Sequence, residues 1–214
     1  MTARQQTDRR PVVVQKYGGS SLATAQHIRN IAERIQARKD DGVNVIVVVS
    51  AMGDSTDELI ALSGAVTNGQ TQDAREMDTL LSTGELVSAT LMAMALKSRG
   101  YDAISLSGMQ AGIKTDTVHG SARIADINTD RLRKELDRGR IVIVAGFQGL
   151  AESGDITTLG RGGSDTTAVA LAVAAEAERC EIYTDVDGIY TTDPRLTNNA
   201  RKLAQIGFKE VLGL

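Results

Sequence analysis

Near-continuous runs of branched apolar residues, separated by amphipathic helical segments, constrain the fold of this chain more than any other feature. Residues 43–51, VNVIVVVSA, and 141–147, IVIVAGF, leave no polar face. A strand of that kind has to be covered on both sides, as in a parallel sheet with helices above and below it. Shorter runs extend the pattern: VVVQK follows Pro11, AISL spans 103–106, and residues 122–127 and 181–184 come later. Between these runs, Ile28, Ile31, Ala32 and Ile35 fall on one face of a helix, and further helices are predicted from about Thr56 and about Thr129. Residues 84–97, apolar almost all round, predict a buried helix. Alternating β and α units of this type predict an α/β fold, a three-layer αβα sandwich around a mainly parallel sheet. With 214 residues, 42% of them hydrophobic, the chain can fill one such core, residues 1–10 forming a disordered arm and 11–214 the folded domain.

Charge and composition remove several functions. Lys and Arg number 24 against 27 Asp and Glu, a net charge of −3, and no basic block is dense enough to hold nucleic acid. The apolar run at 168–175 is far short of the ~18 residues a membrane span needs. The N-terminal arginines have no apolar stretch behind them, so a cytoplasmic location is expected. Cys180, the only cysteine, can form no internal disulfide and reads as a buried thiol. His27 and His119 lack the spacing of a zinc motif and are expected on the surface or in loops.

In open parallel sheets ligands collect where loops leave the carboxyl ends of the strands. Six loops are expected there: 16–21 (KYGGSS), 50–58 (SAMGDSTDE), 82–85 (STGE), 146–149 (GFQG), 159–165 (LGRGGSD) and 184–195 (TDVDGIYTTDPR). In the fifth, Gly160, Gly162 and Gly163 would let a ligand approach the backbone, and the helix beginning near Asp165, capped by Ser164 or Asp165, would aim its free N–H groups at an anion. Lys16 precedes Gly18, Gly19 and Ser20 at the end of the first strand, where its ammonium could reach phosphate oxygens. Neither G-x-x-x-x-G-K-[ST] nor G-x-G-x-x-G after the first strand is present, which disfavours an ordinary P-loop or dinucleotide enzyme. Ser55-x-x-Glu58 and Ser82-x-x-Glu85 also fit the capping-box pattern, and Asp187-Gly188 fits a tight hairpin.

Taken in order, KYGGSS, VVSAMGDSTDEL, LSTGE, GMQAGIKTD, HGSARI, VAGFQG, TLGRGGSDTTAVALA and EIYTDVDGIYTTDPR closely resemble the catalytic domain of the aspartate kinases, over about residues 12–212. The resemblance implies the amino acid kinase fold and ATP-dependent phosphorylation of the side-chain carboxylate of L-aspartate, with Mg²⁺ carried mainly on phosphate oxygens and water. It implies that Ser50, Thr56, Glu85, Arg161 and Ser164 line the aspartate site, and that Asp165 orients Lys16 and the transferred phosphoryl group. Lys16, Gly18, Gly19, Ser20, Gly162, Gly163, Thr184, Asp185, Tyr190 and Arg195 would serve the nucleotide. The residue chemistry agrees with such a reaction. A carboxylate is ionised at neutral pH and needs no general base, whereas two anions brought together need fixed positive charge. Arg161 can fork onto a carboxylate, and Glu85 can accept from an ammonium.

Members of that family continue beyond the point where this sequence stops, into a helix with a further phosphate-contacting lysine and into paired regulatory ACT domains. Residues 206–214, IGFKEVLGL, read as the opening of that helix. A homodimer or association with a regulatory subunit is the corresponding expectation. Two alternatives stay open: a kinase-fold subunit that binds without turnover, and a kinase for another amino acid such as glutamate.

Overall fold

The computed structural model describes residues 10–184, 197 and 199–202. The chain divides into two units, residues 1–183 and 184–214. In the second, within its described residues, Thr197 accepts from the N–H groups of Asn199 and Ala200.

The first unit contains β1 (Val12–Tyr17), α1 (Ala25–Asp40), β2 (Asn44–Val49), α2 (Ser55–Val66), α3 (Ala74–Ser98), β3 (Ala103–Leu106), β4 (Ile113–Thr115), β5 (Ile124–Ile127), α4 (Asp130–Asp137), β6 (Ile141–Ala145), β7 (Gln148–Ala151), β8 (Ile156–Thr158), α5 (Gly163–Ala174) and β9 (Arg179–Tyr183). Five strands in the order β3-β6-β2-β1-β9, every pair parallel, form the central sheet. The apolar runs build its middle, and strand periodicity distributes them to two cores. Val13, Val45, Val47, Ile141 and Ile143 pack against Ile28, Ile31, Ala32 and Ile35 of α1 and Met92 and Leu96 of α3. Val14, Ile46, Val48, Val142 and Val144 pack on the opposite face against Leu132 and Leu136 of α4 and Ala168 and Leu171 of α5. These are the three layers expected from the double-sided strands. At the carboxyl ends of β1 and β9 the rings of Tyr17 and Tyr183 stack, 4.8 Å apart and 5° from parallel.

Several local expectations are corrected. Helix α3 begins ten residues before Gly84, capped by Asp73, whose side chain accepts from the N–H of Glu76. STGE therefore lies inside a helix, and Glu85 caps nothing. The helix is not buried all round either: Val87 is 53%, Leu91 38% and Met94 60% exposed. By length and composition α3 is apolar enough to cross a membrane. It packs instead on β3, β6 and β8 and buries Asp78 and Glu85. The other supposed capping box also fails, since the cap of α2 is Asp54 and the Ser55 hydroxyl donates to the carbonyl of Met52. Helix α5 starts at Gly163 behind Gly162, not at Asp165.

A second sheet, β5-β4-β7-β8, is mixed. Residues 122–127, expected in the central sheet, supply β5 here, and half of GFQG is strand β7 rather than loop. Strands of three or four residues with exposed positions carry too little periodicity to be recognised. His27 is exposed on the surface of helix α1, as expected, and Cys180 is half-buried rather than buried, its thiol pKa pushed up by burial.

Gly112 holds the second sheet to the start of α4. Its φ is +82°, and a Cβ there would run into the carbonyl oxygen of Asn128, whose N–H donates to Gly112. Gly112→Ala adds a left-handed side chain and an overlap, an expected loss of about 2–4 kcal/mol. Urea denaturation would show it as a lower midpoint at unchanged slope.

Candidate active site

Period-two alternation puts Lys16 on the same face of β1 as Val14, which packs under α5. The lysine therefore emerges beneath the first turn of α5, where its Nζ lies 2.7 Å from Asp165 Oδ1. Lys16 is 8% exposed, while the Asp165 side chain is 46% exposed. Gly18 is close to this pair: a Cβ there would sit 3.4 Å from the Lys16 Nζ. Gly19 ties the loop after β1 to the loop after β2. Its carbonyl accepts from Gly53 N at 2.9 Å, and a Cβ would come 2.8 Å from the carbonyl of Ala51.

The glycine loop is more committed internally than its sequence suggests. Gly163 N donates to Gly160 O at 3.0 Å, and Asp165 N donates to Gly162 O at 3.0 Å, so neither amide is left for a ligand. Gly163 is glycine for packing, since a Cβ would fall 2.8 Å from the Phe147 ring. Gly162, at φ +72°, is the left-handed residue that turns the chain into α5. Ser164, 7% exposed, packs under Gly146, where a Cβ would come 2.8 Å from its Oγ.

Across the cleft, α3 carries Glu85. Gly84 allows this approach, because a Cβ there would come 2.9 Å from the Ala51 Cβ. Glu85 Oε1 accepts from Ala51 N at 3.2 Å, whereas Oε2 is buried with no hydrogen-bond partner among the described residues. The residue is 4% exposed, and burial pushes its pKa up to about 7. An enclosed carboxylate with one empty acceptor is a socket for a cation.

Together these elements line a cleft of about 560 Å³ at the carboxyl ends of β1, β2 and β6. Lys16, Gly19, Ser50, Thr56, Glu85, Arg161, Gly162, Gly163, Ser164 and Asp165 of the expected residues lie on it. Gly18 and Ser20 do not, and Ser20 is exposed in a short 3-10 turn. Thr184 opens the second unit, while Asp185, Tyr190 and Arg195 lie outside the described residues. Among the described residues, the lining holds two cations, Lys16 and Arg161, against the carboxylates of Asp57, Glu85 and Asp165. Among the described residues no three His, Cys, Asp or Glu side chains gather as a metal site.

Sequence reasoning missed Asp78, at 1% exposure the most deeply buried Asp among the described residues, and its partner His119, which is partly buried in its loop. The D-x-x-E cap at Asp73 was the available signal that the helix bearing Asp78 starts so early.

A model of the amino acid kinase family matches residues 11–213. Among sequence relatives, aspartokinase of Corynebacterium glutamicum is 58% identical over 204 residues, 95% of this chain and 48% of that protein. Aspartokinase 2 of Bacillus subtilis is 56% identical over 203 residues, 95% of this chain and 49% of that protein. The solved structure of E. coli aspartokinase III in complex with aspartate and ADP superimposes with a TM-score of 0.83 at 30% identity, covering 94% of this chain and 55% of that one. The chain spans about half the length of these sequence relatives.

Proposed function

The chain belongs to the amino acid kinase family, and from that premise we propose that it transfers the γ-phosphoryl group of ATP to the β-carboxylate of L-aspartate, releasing ADP and 4-phospho-L-aspartate. The observation that carries this reading is Glu85, a buried carboxylate with an empty acceptor that lines the same cleft as Arg161. An amino acid presents an ammonium and a carboxylate on one carbon, and this pair answers both. Ser50, Thr56 and Ser164 supply hydroxyls around the same site.

The β-carboxylate oxygen attacks the γ-phosphorus as the bond to the β,γ-bridging oxygen breaks, and that electron pair leaves on ADP. No proton has to be removed from the acceptor. The protein's work is to position the partners and to offset charge. Lys16, held by Asp165, would sit on the transferred group, and Gly18, Gly19, Ser20, Gly162 and Gly163 would shape the phosphate side. Among the described residues of the lining, two cations against three carboxylates leave a triphosphate unneutralised, and Mg²⁺ bound to the nucleotide would bring further positive charge. Thr184, Asp185, Tyr190 and Arg195 are assigned to the adenosine, and the reaction to the cytoplasm. Residues 11–214 would act as the catalytic domain, and dimerisation or a regulatory partner would supply control.

The test is to incubate the purified chain with MgATP, hydroxylamine and either L-aspartate or L-glutamate, and to measure acyl hydroxamate. Aspartate-dependent product is expected. Glutamate-dependent product would move the assignment to another amino acid kinase. A folded chain that yields no product with either would point to a subunit that binds without turnover.

A further inference from the structure

The HGSARI segment has no part assigned in the proposed reaction, yet its Gly120 lines the cleft and it is tied to the buried carboxylate of Asp78. His119 Nδ1 lies 2.7 Å from Asp78 Oδ2, and Gly120 N donates to both oxygens at 3.0 and 3.1 Å. The hydroxyl of Thr158, at the end of β8, donates to Oδ1. One side chain of α3 thus gathers a turn and a strand end, and these lead directly into the glycine loop. The carbonyl of Gly120 lies 3.4 Å from the position of a Cβ on Gly160, and Ala122 N donates to the carbonyl of Thr158 at 2.8 Å.

Asp78 and Glu85 are seven residues apart, two helical turns, on the buried face of α3 and about 10 Å apart along its axis. Arg161 follows Gly160 immediately. We propose that Asp78 is a positioning residue: through His119, Gly120 and Thr158 it clamps the 158–163 loop to α3 and so fixes the separation of Arg161 from Glu85. That separation is the ruler against which the α-carboxylate and α-ammonium of the substrate are measured. The proposal rests on the aspartate kinase reading for its substrate, though the clamp itself does not.

A carboxylate is suited to this task because it accepts at both oxygens and offers nothing to repel a donor. Asparagine could keep the bonds from Gly120 and Thr158 at its oxygen and face the histidine ring with its amide, the imidazole taking the opposite tautomer. Alanine keeps none of them. Asp78→Ala is therefore expected to raise the aspartate KM about tenfold while the ATP KM stays within about twofold, and Asp78→Asn to restore most of the loss. His119→Ala removes one contact from the solvent side of the clamp and should give a smaller rise in aspartate KM. It supplies the reading if Asp78→Ala does not fold.

Amide hydrogen exchange reports on the clamp without catalysis. Faster exchange confined to residues 118–122 and 158–163, in Asp78→Ala or His119→Ala, is expected. Unchanged exchange there with an unchanged aspartate KM overturns the proposal. So does faster exchange throughout the chain with both KM values shifting together, which is what a merely structural carboxylate would produce. A wild-type chain that makes no aspartyl hydroxamate defeats the functional reading instead, and exchange alone then decides the clamp.

Discussion

Lys16→Met is expected to lower kcat by about 10³-fold, about 4 kcal/mol of transition-state stabilisation, while the aspartate KM changes little. Methionine keeps most of the unbranched stem that fills the space under α5 and removes only the ammonium. The Asp165 side chain is 46% exposed as a whole, but its Oδ1, which pairs with Lys16, is buried, so a lowered Tm is expected beside the kinetic loss. The specificity of this outcome lies in the split between constants. A lysine that acts on the migrating phosphoryl group works as charge redistributes there, so its loss appears in kcat. Hydroxamate kinetics at saturating MgATP give both constants. An aspartate KM that rises in step with a modest loss of kcat would assign Lys16 to substrate binding instead.

Glu85→Gln should change function and stability in opposite directions. The variant keeps the shape and an acceptor for Ala51 N but loses the charge proposed to face the substrate ammonium. A charge-assisted hydrogen bond of this kind contributes about 1.5–3 kcal/mol, so the aspartate KM is expected to rise about 10–100-fold. Stability follows proton linkage. The folded protein holds the Glu85 proton up to about pH 7, against an ordinary value of 4.5. Between those values the unfolded chain binds fewer protons than the folded one, so wild-type stability falls as pH rises through this window. Above it the accumulated cost reaches about 3 kcal/mol, the free energy that separates a pKa of 4.5 from one of about 7. Glutamine does not incur that cost. The variant should be the more stable protein at pH 8, by up to about 3 kcal/mol, with the difference vanishing toward pH 4.5. Thermal melts of the unliganded protein at several pH values test this directly. A Glu85→Gln variant less stable than wild type at pH 8 would mean that Oε2 already has a cationic partner. In the wild type, the aspartate KM should fall as pH rises through about 7, because an ammonium binds the ionised form.

The legibility of the sequence tracked the length and purity of each apolar pattern. Residues 43–51 and 141–147 announced buried parallel strands because no register could give them a wet face, and the four helical positions from Ile28 to Ile35 left one amphipathic reading. Lys16, Arg161 and Asp165 were legible as a group because glycines flank them. Gly84 misled for an instructive reason. A glycine beside Ser and Thr reads as a loop, whereas here it lies within a 25-residue helix to bring Glu85 against the end of β2. Gly163 misled in the same way: its missing side chain makes room for Phe147, and its amide is already bonded to Gly160. The second sheet was illegible because its strands are three or four residues long and its two halves are joined by β4 and β7, whose paired residues, such as Lys114 and Leu150, are distant in sequence. Asp78 was illegible too, since one carboxylate on a polar stretch carries no mark of the three elements it will join.

The stacked tyrosines also make the molecule its own optical gauge. The chain has four tyrosines and no tryptophan, and Tyr17 and Tyr183 account for half of the phenolic chromophores. Rings so close and so nearly parallel couple their transitions, so the near-ultraviolet circular dichroism should be dominated by this one pair. Aspartate is transparent at those wavelengths. Titrating it while recording that band would report whether occupying the cleft shifts β1 against β9, with no label attached.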